Sequence, residues 1–329
     1  MAESMRDTMV GANISNIRPS PRWRITMLGC AAALAWAVAC TPAMADETEQ
    51  QTFASPQQAV EALVAAVRTG EPDQLLHIFG PGGDKLVRSG DRIADKEARE
   101  RFVNAYVKAN KIVMDAGDKA VLVIGDHAWP FPIPIVKQGA AWHFDTAAGE
   151  EEILDRRIGR NELSAIQVCR AYVDAQREYA SQDRNGDGLL EYASRFRSSP
   201  DRHDGLYWPA GENEPASPLG PLMVSAQAEG YGTKRVAGHK REPYHGYYYR
   251  ILTRQGKDAP GGAYDYVVRG HMIGGFALVA FPAKYGASGV MTFIVNQDGV
   301  VYQKDLGPDT ATIARRMTEF NPDKTWTMP

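Results

Sequence analysis

The sequence predicts an α+β fold built from two successive units. The first unit is predicted to hold helices followed by an antiparallel sheet, and the second a long helix packed on another antiparallel sheet. In both units, amphipathic helical periodicity comes first and short apolar segments bounded by turn residues come after it. The length of 329 residues also fits about two average domains.

The first unit is predicted to begin with helices. Ser55 and Gln58 have the spacing of a capping box, and Gly70 is placed to end the helix that follows. A second, short helix is predicted over residues 72–79. A third is predicted to start near Asp95.

Strand signals follow these helices. Residues 120–124 form a short apolar run, and residues 131–136 form a run interrupted by two prolines, which favours an edge strand. Gln138 and Gly139 predict a hairpin turn into a strand over residues 140–145. Together these signals predict an α+β domain over residues 46–158.

The second unit is predicted to span residues 159–329. The charged stretch 150–160 is interpreted as the linker between the units, and Asn161 as the cap of a long helix that ends near Ser181. The wide apolar face of that helix indicates that it packs against a sheet.

The sheet of the second unit is predicted from the last third of the chain. A hairpin turn is expected at residues 296–299. A turn-rich insertion over residues 198–244 separates the long helix from the sheet. The strand-like segments are residues 247–253, 264–268, 276–281, 290–295 and 300–304.

Residues 1–45 have the pattern of a secretory signal peptide. Arg18, Arg22 and Arg24 precede an uncharged apolar run at residues 25–39, and Ala43 and Ala45 frame a small-residue cleavage site. We therefore expect cleavage after Ala45 and a periplasmic location. The alternatives are lipid attachment at Cys40 and an uncleaved anchor.

Cleavage would leave a mature chain with one thiol, since two of the three cysteines lie in the leader. No internal disulfide is then expected. The chain has 37 basic and 40 acidic residues, so no basic surplus favours nucleic acid as a partner. After residue 46, no segment is apolar and long enough to predict a transmembrane helix.

Residues 183–191 resemble a calcium-binding loop. Asp183, Asn185 and Asp187 stand at its first, third and fifth positions, and hard carboxylate and amide oxygens suit Ca²⁺. Ser194 replaces the glutamate expected at position 12, and Glu191 at position 9 compensates in part. The alternative is a polar turn without a metal.

A ligand cleft is predicted near the insertion. His203, Asp204 and His245 border it and are candidates for a metal or acid–base role, and Trp208 is a candidate ligand contact. The alternative is that these are ordinary structural residues. Cys169 lies on the apolar face of the long helix, where a thiol is typical inert packing, and no catalytic residue is assigned.

Several stretches resemble a bacterial exported family known as domain of unknown function 2950. They are residues 156–163, 203–209, 217–221 and 261–310, and the resemblance covers nearly the whole mature chain. It implies a protein of the cell envelope, and it carries no reaction or catalytic residue.

Two weaker likenesses concern architecture. The second unit, with residues 289–300 at its end, is similar to the globular heads of type IV pilin-like proteins. A pilin would join its apolar N-terminal helix directly to that unit, whereas here the first unit intervenes. The first unit is similar to the helix-and-sheet cone of nuclear transport factor 2-like domains. Fold analogy alone does not give function.

The sequence therefore favours a periplasmic protein with a non-enzymatic binding or scaffolding role, whose partner is an envelope protein or polymer. The first alternative is an envelope hydrolase that acts on cell-wall or peptide substrates through the predicted cleft. The second is a structural module stabilised by calcium.

Overall fold

The computed structural model describes residues 50–329 except for 116, 212–213 and 233–241. The predicted leader, its cleavage site after Ala45 and the alternative lipid site at Cys40 lie outside the described residues. In the part of the chain that is described, no helix has the length and apolar character needed to cross a membrane.

Four helices open the described chain: α1 (Pro56–Thr69), α2 (Pro72–Phe79), α3 (Gly83–Val87) and α4 (Arg92–Lys108). The predicted cap of α1 is confirmed, because the Ser55 hydroxyl accepts a hydrogen bond from the Gln58 N–H at 3.2 Å. Its predicted end is confirmed as well, at Gly70 in the left-handed conformation. The third predicted helix begins earlier than Asp95, because the Asp91 carboxylate accepts from the N–H groups of Ile93 and Ala94 and so caps α4.

The first sheet is antiparallel with the order β1–β2–β4–β5, and β3 also pairs with β2. Its strands are β1 (Asn110–Met114), β2 (Lys119–Ile124), β3 (Trp129–Pro130), β4 (Ile135–Gln138) and β5 (Ala141–Phe144). The hairpin at Gly139 is confirmed. The edge strand predicted over residues 131–136 is wrong. Both prolines lie in the connection before β4, so β4 keeps its N–H groups and lies between two other strands.

A single helix, α5 (Thr146–Tyr179), runs through the charged stretch that was interpreted as a linker. Asp145 caps it by accepting from the Ala148 N–H at 3.2 Å. Glu152 and Arg156 form an ion pair one turn apart at 2.5 Å. Glutamate and arginine are good helix formers, so a charged run can continue a helix when part of one face is buried. Leu154 supplies such a buried residue.

The predicted long helix on an antiparallel sheet is present, since α5 packs on the central strands of the second sheet. The sheet has the order β13–β12–β11–β6. The hairpin predicted at residues 296–299 joins its last two strands. The four strands are β6 (Tyr247–Leu252), β11 (Ala277–Pro282), β12 (Met291–Asn296) and β13 (Val301–Asp305).

Short elements complete the second half of the chain. Among its described residues, the predicted turn-rich insertion contains one helix, α6 (Gly220–Ala228). The segment predicted as one strand over 264–268 is divided between β8 and β9. The remaining elements are β7 (Arg254–Gln255), β8 (Tyr264–Asp265), β9 (Val267–Val268), β10 (His271–Met272), α7 (Thr310–Arg316) and β14 (Glu319–Phe320).

The described residues have two hydrophobic cores within one compact unit. The first core takes its buried residues from 53–154 and the second from 165–320, and α5 contributes to both. Polar contacts also join the halves. The Asp91 carboxylate accepts from the Tyr231 hydroxyl at 2.9 Å and from the Gly246 N–H at 2.8 Å. Lys284 lies 2.5 Å from Asp84.

Candidate functional site

A cavity of about 390 Å³ lies between α4, the first sheet and the N-terminal half of α5. The packing of α4 explains it. This helix of 17 residues contributes no buried residue, whereas its neighbour α1 contributes six. The inward residues of α4, Ala98 and Phe102 among them, line the cavity instead of filling it. The sequence predicts a helix here, but it does not show that one side of this helix borders an open space.

The floor of the cavity is apolar and formed by buried side chains. It draws on three helices and the sheet, so its shape is set by elements that are far apart in the chain. The buried lining includes Leu63 and Val67 of α1, Leu75 and Phe79 of α2, and Ile124 and Ile133 of the sheet region. Such a floor favours an apolar group of a ligand, because apolar surface is removed from water on both sides of the contact.

Arginines dominate the charged part of the lining. Five of the six charged residues that line the cavity are arginines, and the sixth is Asp95. The arginines are Arg99 and Arg101 of α4 and Arg156, Arg157 and Arg160 of α5. Because Arg101, Arg156 and Arg160 are exposed, this positive group lies at the rim rather than on the floor.

Two of the rim groups are fixed by nearby backbone. Arg157 donates to the carbonyl oxygens of Lys85 and Leu86 at 2.6 and 2.5 Å, and burial lowers its pKa. Asp95 accepts from the Ser89 N–H at 3.1 Å. Burial raises the pKa of Asp95, since the carboxylate loses hydration, while Ser89 and Arg157 oppose that shift.

The other arginines differ in their partners. Arg101 pairs with Glu97 at 3.4 Å, and Arg156 pairs with Glu152 and lies over the Trp129 ring. Arg99 and Arg160 have no ion pair in the described part of the chain. The pKa of Arg160 is lowered, first by burial and then by the positive charge of Arg101.

The predicted calcium loop folds as a self-bonded polar turn. The Asp183 carboxylate accepts from the N–H groups of Gly186 and Gly188 at 2.7 and 2.9 Å, and the bond from Gly188 contributes most to lowering its pKa. The Asn185 amide donates to Asp187 at 2.8 Å and to Glu191 at 2.6 Å. These bonds are those of a polar turn, which was the alternative to a calcium site.

A histidine that was not predicted completes a candidate metal group at this loop. His271 of β10 brings its Nδ1 atom to 3.1 Å from Glu191 and 3.4 Å from Asp187. One ligand atom from each of these three residues lies within 4.8 Å of the others. Two carboxylates and one imidazole suit a divalent transition metal better than calcium, which prefers oxygen. Asp183 and Asn185 are not part of this group.

The residues of the predicted ligand cleft separate into two places. Trp208 is buried, donates from Nε1 to the Pro215 carbonyl at 3.1 Å and stacks on the His203 ring. Asp204 accepts from the backbone and hydroxyl of Ser199 at 2.7 and 2.9 Å. These bonds stabilise the conformation of the insertion.

His245 lies elsewhere, with Nε2 at 3.2 Å from Glu229. Among the described residues it makes no hydrogen bond or ion pair with His203 or Asp204. Cys169 is fully buried, and burial raises the pKa of its thiol to about 12, so thiolate chemistry is unfavourable there.

A family model described as "Protein of unknown function (DUF2950)" matches residues 50–328. The chain belongs to this family. The match includes both cores, the cavity and the loop at Asp187, so each candidate site lies within the family's own region. Searches of curated proteins and of solved structures gave no match. The likenesses to pilin heads and to nuclear transport factor 2-like domains therefore stay predictions.

Proposed function

We propose that this family member is an exported, non-enzymatic binding protein of the cell envelope, and that the cavity beneath α4 is its ligand site. The observation that carries the proposal is the open space between α4 and an apolar floor. Its volume of about 390 Å³ lies within the range of about 300–1,000 Å³ that is typical of small-molecule pockets.

The export part of the proposal depends on the sequence of residues 1–45. The arginines, the apolar run and the small residues before Asp46 are together typical of a cleaved signal peptide. Cleavage after Ala45 and a periplasmic location follow from that pattern. An envelope protein or polymer remains the partner proposed for a scaffolding role.

His245 lies apart from His203 and Asp204, and this separation favours a binding role over hydrolysis. A hydrolase would need a nucleophile or an activated water with an acid–base partner within hydrogen-bond reach. His203, Asp204 and His245 each contact other groups, and Cys169 lies in the second core. The hydrolase alternative therefore has less support than the binding role.

Nile red, a neutral apolar dye, tests the proposed site. We expect saturable binding with enhanced fluorescence, and at least a tenfold loss of affinity in Ala98→Trp, whose indole would fill the cavity. Asn104→Trp is the matched control, since Asn104 is an exposed residue of the same helix outside the lining. Equal binding by both variants, or no saturable binding by the unaltered chain, would contradict the proposal.

The convergence of Asp187, Glu191 and His271 favours a second candidate function, a structural module stabilised by a metal. A divalent ion held there would join the loop after α5 to β10, across 80 residues of sequence. With calcium, the oxygens of Asp183, Asn185, Asp187 and Glu191 would provide the ligands. With a transition metal, His271 would replace the first two.

A further inference from the structure

The rim of the cavity carries more arginine side chains than nearby carboxylates neutralise. Glu97 and Glu152 pair with Arg101 and Arg156, and Arg157 is bound to two backbone carbonyls. Arg99 and Arg160 have no carboxylate partner in the described part of the chain, and both line the cavity. An apolar floor is thus bordered by two unpaired guanidinium groups.

A guanidinium group recognises particular chemistry. Its planar donors match the two oxygens of a carboxylate or a phosphate, and the charge-assisted bonds are stronger than neutral ones. The single acidic lining residue, Asp95, already accepts from Ser89. One arginine of α4 and one of α5 therefore remain available to an anionic group at the rim.

We infer that the ligand is an anionic amphiphile, an apolar molecule about one acyl chain in size that carries one carboxylate or phosphate. This inference rests on the proposed function, since it concerns the same cavity. The apolar part lies on the floor formed by Leu63, Phe79 and Ile133, and the anion lies at the arginine rim, where Arg99 and Arg160 have no carboxylate partner among the described residues. A fatty acid and a lipid phosphate share this chemistry.

Displacement of Nile red by matched twelve-carbon compounds tests the inference. Dodecanoate and dodecyl phosphate carry the two anions, dodecanol has the same chain without charge, and acetate and inorganic phosphate are anions without a chain. We expect the two anionic chains to displace the dye at concentrations at least tenfold below that of dodecanol. We expect acetate and inorganic phosphate to displace no Nile red. The stronger of the two anionic chains identifies the head group.

The double variant Arg99→Gln, Arg160→Gln should reduce the advantage of dodecanoate over dodecanol to less than threefold. Because this quantity is a ratio within one protein, a general change in affinity cancels. The matched control is Arg68→Gln, Arg170→Gln, two exposed arginines outside the lining, which should keep the full advantage.

The outcomes separate this inference from the proposed function. If Nile red binds but dodecanol competes as well as both anionic chains, the anionic head group is wrong and the binding role stands. If the double variant keeps the full advantage, Arg99 and Arg160 do not bind the anion, and the binding role stands. If neither the dye nor any twelve-carbon compound binds, both proposals fail. If acetate or inorganic phosphate displaced Nile red by itself, the inference that the ligand is an amphiphile would be wrong.

Discussion

At the scale of single residues, Asp91 connects local and distant structure. One carboxylate oxygen caps α4 through Ile93 and Ala94, and the other accepts from Tyr231 and Gly246 in the second half of the chain. Asp91 is buried, so each of these bonds lies out of water. Local sequence does not predict the contacts with Tyr231 and Gly246, because these residues are separated from Asp91 by 140 residues or more.

Replacement of Asp91 by serine separates the two roles. Serine is a good helix cap but is too short to reach Tyr231 and Gly246, so two buried donors would lose their acceptor. We expect Asp91→Ser to lower the free energy of unfolding by about 1–3 kcal/mol. Asp91→Ala should lower it by about 1 kcal/mol more, through loss of the cap. Urea unfolding measures both, and a serine variant as stable as the original would contradict this role.

We propose that His271 selects the metal ion at the loop that contains Asp187. An imidazole ligand matters for Zn²⁺, whereas Ca²⁺ takes oxygen ligands. We expect His271→Ala to weaken Zn²⁺ binding by about tenfold or more and to leave any Ca²⁺ binding unchanged. Calorimetric titration measures both ions.

His127→Ala is the control for this titration, since His127 is an exposed histidine in a turn away from the loop. If both variants bind Zn²⁺ equally well, the imidazole of His271 is not a ligand. Sequence reasoning found Asp187 and Glu191 because they lie in one motif. It missed His271, which reaches the loop through the pairing of Tyr192 with Met272.

At the scale of elements, α5 shows what local sequence can and cannot predict. The end of α1 and the hairpins at Gly139 and Gly299 were predicted correctly, because each depends on a cap or a left-handed glycine within a few residues. The charged first half of α5 has the local pattern of a linker, yet it is helical because it packs against α3 and the first core. That support is not visible in local sequence.

Two glycines of α5 provide a paired test of its packing. A Cβ atom at Gly159 would meet nothing within 4 Å, whereas one at Gly149 would lie 2.5 Å from the Pro132 carbonyl oxygen. Gly159→Ala should therefore raise the free energy of unfolding by about 0.5–1 kcal/mol, through helix propensity. Gly149→Ala should lower it by about 1–3 kcal/mol, through overpacking. Urea unfolding of both variants checks this, and changes of the same sign would contradict the described packing.

At the scale of the whole molecule, the cavity is a property that sequence patterns do not encode. It arises because α4 contributes no fully buried side chain, although Phe102 packs against the first core. The cavity therefore depends on side chains that are absent from a space rather than on a motif. The α+β class, the long helix on a sheet and the family were all predicted correctly from the residues. The arginine rim was not, since α4 and α5 bring it together only in the fold.

The proposed export predicts where the mature chain begins. Intact mass spectrometry of the protein from a periplasmic extract should give a chain that begins at Asp46 without modification. The physical reason is that the small residues at 43 and 45 fit the cleavage site, whereas the apolar run before them is short for a membrane anchor. A lipid-bearing chain that begins at Cys40, or a chain that retains the apolar run, would contradict it.

A crystal structure of the protein with dodecanoate tests the central claim most directly. We expect electron density for the alkyl chain between α4 and the first sheet, with the carboxylate at the arginine rim. A cavity without ligand density in crystals that bind dodecanoate elsewhere, or a cavity closed by α4 packing onto the sheet, would contradict it.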